Sequence, residues 1–204
     1  MKKILGFMAM TFFTAGAANA GMHVNVMGGM NFATYDGSSS ASTSYSAKGA
    51  ISGGSTIDFG IAPVISFETG LLSIGQSTKS TVSGLGELTQ VSRALEIPLM
   101  LRFDALPLLS LGVGGYYAMI NSKYKIQGST IALLPDGEYT IDKSQNETTD
   151  YGLRFGGRLL LPLAPMVRAL IDASYDMGLK DLDKGASTSK TKQYALMVGA
   201  SFGF

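Results

Sequence analysis

The last segment of the chain, "YALMVGASFGF" (residues 194–204), alternates apolar side chains with small or polar ones. The apolar positions are Tyr194, Leu196, Val198, Ala200, Phe202 and Phe204. A period of two over a dozen residues predicts a β-strand with one apolar face. The length favours a strand that crosses a membrane, which needs about 9–11 residues, over an ordinary strand of about 5–6.

The same alternation recurs upstream, which predicts a protein built of similar strands. The seven further segments are 23–35, 54–62, 64–76, 91–103, 109–121, 151–161 and 166–176. After residue 20, no apolar stretch approaches the roughly 20 residues that a membrane-spanning helix needs.

The connections between these segments alternate in length. Short connections that contain proline lie near Ala62–Pro63 and at residues 104–107 and 162–165, where proline suits a turn. The other four connections are longer and polar: 36–50, 77–90, 122–150 and 177–192. Short turns at one rim and long loops at the other are typical of an outer-membrane barrel, with both termini on the periplasmic side. In lipid, every strand edge must be paired. The sequence therefore predicts an all-β fold, a closed eight-stranded antiparallel up-and-down transmembrane β-barrel.

The first 20 residues have the features of a signal peptide. Lys2 and Lys3 form a basic start, Ile4 to Phe13 an apolar run, and Ala18-Asn19-Ala20 a cleavage site. We expect residues 1–20 to be removed and residues 21–204 to form the barrel. Without the two lysines, 14 basic residues remain against 15 acidic ones, a net charge of about −1, which argues against a nucleic-acid partner.

Three segments resemble a known family. "RALEIPLMLRF" (93–103), followed by "LSLGVGGYYA" (109–118) and "YGLRFGGRLLLPL" (151–163), is similar to the bacterial outer membrane protein β-barrel domain family, often labelled porin-like. The resemblance implies a small barrel in the outer membrane of a Gram-negative bacterium. It also implies that the terminal Phe204 is the signal read by the outer-membrane insertion machinery. The resemblance does not identify any catalytic residue in this sequence.

The polar faces of the predicted strands carry charges that point into the lumen. These residues are Asp58, Glu68, Glu96, Arg102, Arg154, Arg158, Arg168, Asp172 and Asp176. The interior of an eight-stranded barrel is only wide enough for side chains to fill, so charges crowded there must pair. We therefore predict an internal ion-pair network that fills the lumen. A catalytic carboxylate pair is the alternative, but the neighbouring arginines would keep the acids ionised.

Other motifs give weaker signals for chemistry. Gly199 to Gly203 matches the G-x-S-x-G pattern of serine hydrolases, but the acid and histidine that should follow the serine have no room before residue 204. The single histidine, His23, is expected at the rim or in the lumen as a hydrogen-bonding group. Asp181 to Gly185 lacks the later positions of a calcium loop. No catalytic, metal or cofactor site is predicted.

The expected function is that of a small, monomeric, non-enzymatic barrel of the cell envelope, with a structural or surface-interaction role. Its predicted partners are outer-membrane lipids, the insertion machinery during assembly, and an extracellular partner bound through the loops. The longest loop is expected to form a hairpin around Pro135-Asp136-Gly137. A narrow porin-like channel for ions or small solutes is the alternative function. A lipid-hydrolysing barrel and a soluble lipocalin-like calyx are the two further alternatives.

Overall fold

The computed structural model describes residues 21–37, 43–84, 86–106, 108–121, 123–131, 135–140, 147–182 and 189–204. These residues form ten strands: β1 (Met22–Gly37), β2 (Thr43–Ala62), β3 (Ile65–Val82), β4 (Gly86–Leu106), β5 (Leu109–Ile120), β6 (Lys123–Gln127), β7 (Gly137–Thr140), β8 (Thr149–Ala164), β9 (Val167–Gly178) and β10 (Ser189–Gly203). The predicted signal peptide, residues 1–20, lies outside the described residues.

Eight of these strands close into a ring. Each of β1 to β4 pairs with the next strand, β5 pairs with β8, and β8, β9 and β10 follow in order until β10 pairs with β1. All of these pairings are antiparallel. The predicted eight-stranded up-and-down barrel is therefore confirmed.

The short turns and both chain ends of the barrel lie at one rim. The connections from β2 to β3, from β4 to β5 and from β8 to β9 lie there. Backbone hydrogen bonds also join Met22 and Phe204, from Phe204 N to Met22 O at 2.8 Å and from Met22 N to Phe204 O at 3.3 Å. This is the rim that the sequence assigns to the periplasm.

Apolar side chains cover the outer wall. Along β8, exposed Tyr151, Leu153, Phe155, Leu159 and Leu161 alternate with residues that face the lumen. Exposed aromatic residues mark both ends of this apolar belt, with Tyr117, Tyr151 and Tyr194 towards the long loops and Phe103, Phe202 and Phe204 towards the turns. Aromatic girdles of this kind are typical where barrel strands cross the two membrane interfaces. Among the described residues, no helix is long and apolar enough to span a membrane.

Several strands continue beyond the apolar belt on the loop side. β2 begins at Thr43, β3 ends at Val82 and β4 begins at Gly86, whereas the sequence predicted loops at 36–50 and 77–90. The longest loop carries the extra strands β6 and β7, which pair with each other, while β6 also pairs with β4. We call the unit formed by β6 and β7 the surface hairpin.

Candidate functional site

Arg158 is the centre of a charged cluster in the lumen near the turns. Its guanidinium donates three hydrogen bonds to acids on three other strands: Nη1 to Asp58 Oδ2 at 2.9 Å, Nη2 to Glu68 Oε2 at 2.5 Å and Nε to Asp172 Oδ2 at 3.0 Å. Only 1% of the Arg158 surface is exposed. One side chain thus joins β2, β3, β8 and β9 across the barrel interior.

Arg102 adds a fifth strand to this cluster. Its Nε donates to Glu68 Oε2 at 2.7 Å, and its Nη2 donates both to Glu68 Oε1 at 3.1 Å and to Asp172 Oδ2 at 3.0 Å. We call Asp58, Glu68, Arg102, Arg158 and Asp172 the turn-side network. Each acid in it accepts from a guanidinium, and such charge-assisted bonds are shorter and stronger than bonds between neutral groups.

A second cluster lies nearer the long loops and is held by one arginine. Arg154 Nη1 donates to Glu96 Oε1, its Nη2 donates to Ser174 Oγ at 2.9 Å, and its Nε lies 3.5 Å from Asp176 Oδ1. The amide of Gln193 bridges the two acids, donating to Glu96 Oε2 at 3.0 Å and to Asp176 Oδ2 at 2.8 Å. We call Glu96, Arg154 and Asp176 the loop-side network.

Eight of the nine charged residues that the sequence assigns to the lumen lie in these two networks, and Arg168 does not. Arg168 lies opposite Ser201, close to the turn-side rim, is only partly buried and forms no ion pair within the described residues. The nine predicted residues are five acids and four arginines, and without Arg168 the charge of the buried lumen is less evenly balanced. Among the residues that the structure describes, three buried arginines face five buried carboxylates, and Asp150, which lies outside the predicted set, adds a sixth that accepts a bond from Tyr116.

Neutral residues, which the predicted ion-pair network does not include, also line the lumen. Asn25, Asn31, Thr56 and Gln193 are buried and hydrogen-bonded to one another or to the charged groups. A cluster of apolar residues also faces inward: Met27, Leu72, Ile74, Leu160, Leu170, Ala195 and Met197. The alternation along each strand is enough to place all of these side chains on the inward face.

The residues of the G-x-S-x-G match lie on β10. Ser201 is 1% exposed and its Oγ has no hydrogen-bond partner among the described residues, although His23 lies on the adjacent strand opposite Gly203. A nucleophilic serine needs a base within hydrogen-bond reach. A Cβ added at Gly199 would overlap the carbonyl oxygen of Val26 on β1, so this glycine allows the two strands to approach closely.

The surface hairpin is fixed by contacts between its own residues and with β4. The rings of Tyr124 and Tyr139 stack with centroids 5.8 Å apart, and Lys123 Nζ donates to Glu138 Oε1 at 2.9 Å. The carboxylate of Asp136 accepts from the backbone amides of Gly128 at 2.9 Å and Ser129 at 2.7 Å, and these bonds hold the pKa of Asp136 below its ordinary value. Thr130 N donates to Glu87 O at 2.8 Å, which ties the hairpin loop to β4.

Comparisons with known proteins agree on the architecture. Among solved structures, the fold resembles that of the outer membrane protein OprG from Pseudomonas aeruginosa, with a TM-score of 0.55 and 15% sequence identity over 93% of this chain and 98% of that chain. It also resembles the outer membrane protease OmpT from Escherichia coli, with a TM-score of 0.59 and 9% identity over 92% of this chain and 98% of that chain. These likenesses concern the fold, and the second shows that a barrel of this kind can carry an enzyme. A sequence search against curated proteins gives no match.

The family comparison is more specific than the structural one. The outer membrane protein beta-barrel domain family matches residues 15–184, which is more than half of the chain. The match agrees with the closed ring of eight strands, the apolar outer wall and the charged lumen. The chain therefore belongs to the outer membrane protein β-barrel domain family and is a small barrel of the bacterial outer membrane and cell envelope.

Proposed function

We propose that the protein is a non-enzymatic, monomeric envelope barrel whose lumen is closed by side chains and whose surface hairpin contacts a partner outside the cell. The observation that carries this proposal is the set of three bonds from Arg158 to Asp58, Glu68 and Asp172. These bonds cross the interior of a barrel that, with eight strands, has little space beyond its own side chains.

Two successive layers of bonded side chains support closure. The turn-side network occupies one level, and the loop-side network, extended by Gln193 and Asn31, occupies another. An ion that crossed the barrel would have to separate charge-assisted bonds at both levels. Separating a buried charged pair without replacement costs several kcal/mol.

The contact role rests on the surface hairpin. Its strands β6 and β7 extend from the barrel rim beyond the apolar belt, and its stacked tyrosines and its bonds to β4 give it a defined shape. A defined surface can bind a partner without first being ordered, which lowers the entropic cost of binding. The assembly role of Phe204 is part of the same proposal: the residue is 69% exposed, so it is accessible to the insertion machinery.

The absence of enzymatic activity is also proposed, on the arrangement of the polar groups. The acids of the two networks are bonded to arginines or to Gln193, and in the part of the chain that the structure describes Ser201 has no base bonded to it. Within the described residues there is no group of three His, Cys, Asp or Glu side chains able to hold a metal ion.

A narrow channel is the second candidate, and the excess of carboxylates over arginines in the lumen favours it. Five network acids against three arginines would attract cations into any water-filled path. The channel would therefore be cation-selective, and the reversal potential in a salt gradient would show this.

Conductance across planar bilayers tests the proposal. The folded protein is first identified by its heat-dependent mobility in detergent gels and is then inserted into a bilayer. We expect no steady conductance from the wild type. Steady single-channel currents that change in Arg154→Ala or Glu96→Ala would contradict closure and support the cation channel instead.

A further inference from the structure

A group of cations lies on the outer wall of the barrel, beyond the apolar belt on the loop side. Lys48 on β2 pairs with Ser77 on β3, Ser77 pairs with Val91 on β4, and Val91 pairs with Lys125 on β6. These residues form one row across four neighbouring strands. At about 4.8 Å per strand, the Cα atoms of Lys48 and Lys125 are roughly 14 Å apart, close enough for both extended side chains to reach a group between them.

Two further cations lie on the two sides of this row, one towards the turns and one towards the loops. Arg93 lies two residues from Val91 on β4, towards the turns, and Lys79 lies two residues from Ser77 on β3, towards the loops. We call Lys48, Lys79, Arg93 and Lys125 the outer basic patch. A shallow cavity of about 310 Å³ opens within the patch and is lined by Lys48, Lys79, Glu87, Thr89, Gln127 and Gly128.

The patch faces away from the lumen. Arg93 is exposed between buried Ser92 and Ala94, and its Nη1 donates to Ser73 Oγ at 3.4 Å. Lys48 is exposed as well, and its Nζ donates to Thr89 Oγ1 at 3.2 Å, across the intervening strand β3. Neither network in the lumen includes these cations.

The apolar belt begins directly below the patch on the same strands. Leu95 follows Arg93 by two residues on β4 and is 38% exposed, and Ile51 follows Lys48 by three residues on β2 and is 74% exposed. A lipid molecule whose acyl chain lies against these side chains would have its headgroup at the patch. A soluble polyanion has no acyl chains to place against the apolar belt, so the belt next to the patch favours a lipid.

The charge of the patch is only partly compensated. Lys79 forms an ion pair with Glu87 at 2.6 Å, and neighbouring Lys123 is paired with Glu138. Within the described part of the chain, Lys48, Arg93 and Lys125 have no ion pair. Phosphate suits such a set, because an arginine fork binds two of its oxygens and lysines add point charges.

We infer that the outer basic patch binds the phosphate groups of a phosphorylated lipid in the outer leaflet of the membrane. Lys48 and Lys125 bind the phosphate from the two sides, and Arg93 binds it from the level of the acyl chains. The exposed leucine and isoleucine side chains below receive the acyl chains. The site belongs to the outer wall and is independent of whether the lumen conducts.

Native mass spectrometry in detergent micelles tests this inference. The probes are diphosphoryl lipid A, monophosphoryl lipid A and phosphatidylcholine. The variant is Lys48→Gln/Lys125→Gln, and the matched control is Lys180→Gln/Lys190→Gln, which removes the same charge elsewhere on the loop side. All proteins are first checked for heat-dependent gel mobility.

We expect the wild type and the control to bind diphosphoryl lipid A in preference to the other two probes. The patch variant should bind it about fivefold more weakly, as expected for the loss of two exposed charge contacts. Wild-type binding should also weaken as salt is raised, which tests the site even if the variant does not fold. Equal binding by patch variant and control would overturn the inference. The inference would also be overturned by a wild type that shows no preference for diphosphoryl lipid A over phosphatidylcholine. In that case, binding of a soluble sulfated polysaccharide that depends on Lys48 and Lys125 would identify the patch as a site for a soluble polyanion.

Discussion

Arg158 and Asp172 face each other as ladder partners on β8 and β9, and Arg158 Nε donates to Asp172 Oδ2 at 3.0 Å. The same Asp172 oxygen accepts from Arg102 at 3.0 Å, so one carboxylate is shared by two guanidinium groups. The pair is therefore part of a buried network in which the loss of one member leaves several others without a partner.

Replacing Arg158 should destabilise the barrel strongly. In Arg158→Leu, Asp58, Glu68 and Asp172 lose a buried cation, and such a loss costs about 3–5 kcal/mol. The matched control is Arg168→Leu, whose arginine forms no ion pair within the described residues and whose loss should cost less than about 1 kcal/mol. Urea unfolding in lipid vesicles measures both values. Equal effects of the two substitutions would contradict a stabilising role for the turn-side network.

Gly199 should be required for strand packing. In Gly199→Ala, the new Cβ meets the Val26 carbonyl oxygen and lies 2.8 Å from Met27 Cα, so the strands must separate at a cost of about 1–3 kcal/mol. At Gly203, an added Cβ would lie 3.2 Å from the side chain of His23, which can move, and 3.8 Å from the Met166 carbonyl oxygen, an ordinary contact distance. Gly203→Ala should therefore unfold at nearly the wild-type urea concentration. A Gly199→Ala protein as stable as Gly203→Ala would refute this explanation of the glycine.

The pKa of Asp136 should lie below the ordinary aspartate pKa of about 3.9. The amides of Gly128 and Ser129 bind its ionised form and lower its pKa in the folded protein. The ionised Asp136 therefore stabilises the surface hairpin fully at a pH above its ordinary, unfolded-state pKa. This stabilisation is lost as the pH falls through the pKa of Asp136 in the folded protein. The NMR shift of the Ser129 amide should follow this titration in the wild type but not in Asp136→Asn. A midpoint at or above the ordinary value would contradict the observed bonds.

The end of the surface hairpin should be dispensable for barrel assembly. Removing residues 128–138 takes away the loop and part of β7 but no strand of the closed ring, so the protein should still insert and shift on heating in detergent gels. A barrel that failed to assemble after this deletion would show that the hairpin has a role in folding. Cells that carry the deletion should lose only contacts made outside the membrane.

The sequence predicts the part of each strand that crosses the membrane, because lipid on one side and the lumen on the other impose a period of two. Beyond the belt both faces of a strand meet water, so residues 43–50 of β2 and 77–82 of β3 show no alternation although their backbone pairing continues. The lumen charges follow from the same alternation. Arg168 has the inward phase but does not join either network, because strand alternation shows which face a residue lies on and not how close it is to the rim. Asp150 lies outside the predicted lumen set because the sequence pattern predicts a strand that begins one residue later, at Tyr151.

The inside-out arrangement of the barrel is tested most directly by labelling single cysteines, because the natural chain has none. Leu159→Cys and Ile171→Cys place a thiol on the outer wall, and Ser110→Cys and Ser174→Cys place one in the lumen. In vesicles that contain the folded protein, a lipid-soluble maleimide should label the first two thiols and spare the last two. Labelling of Ser110→Cys and Ser174→Cys with protection of Leu159→Cys and Ile171→Cys would contradict the barrel orientation proposed above.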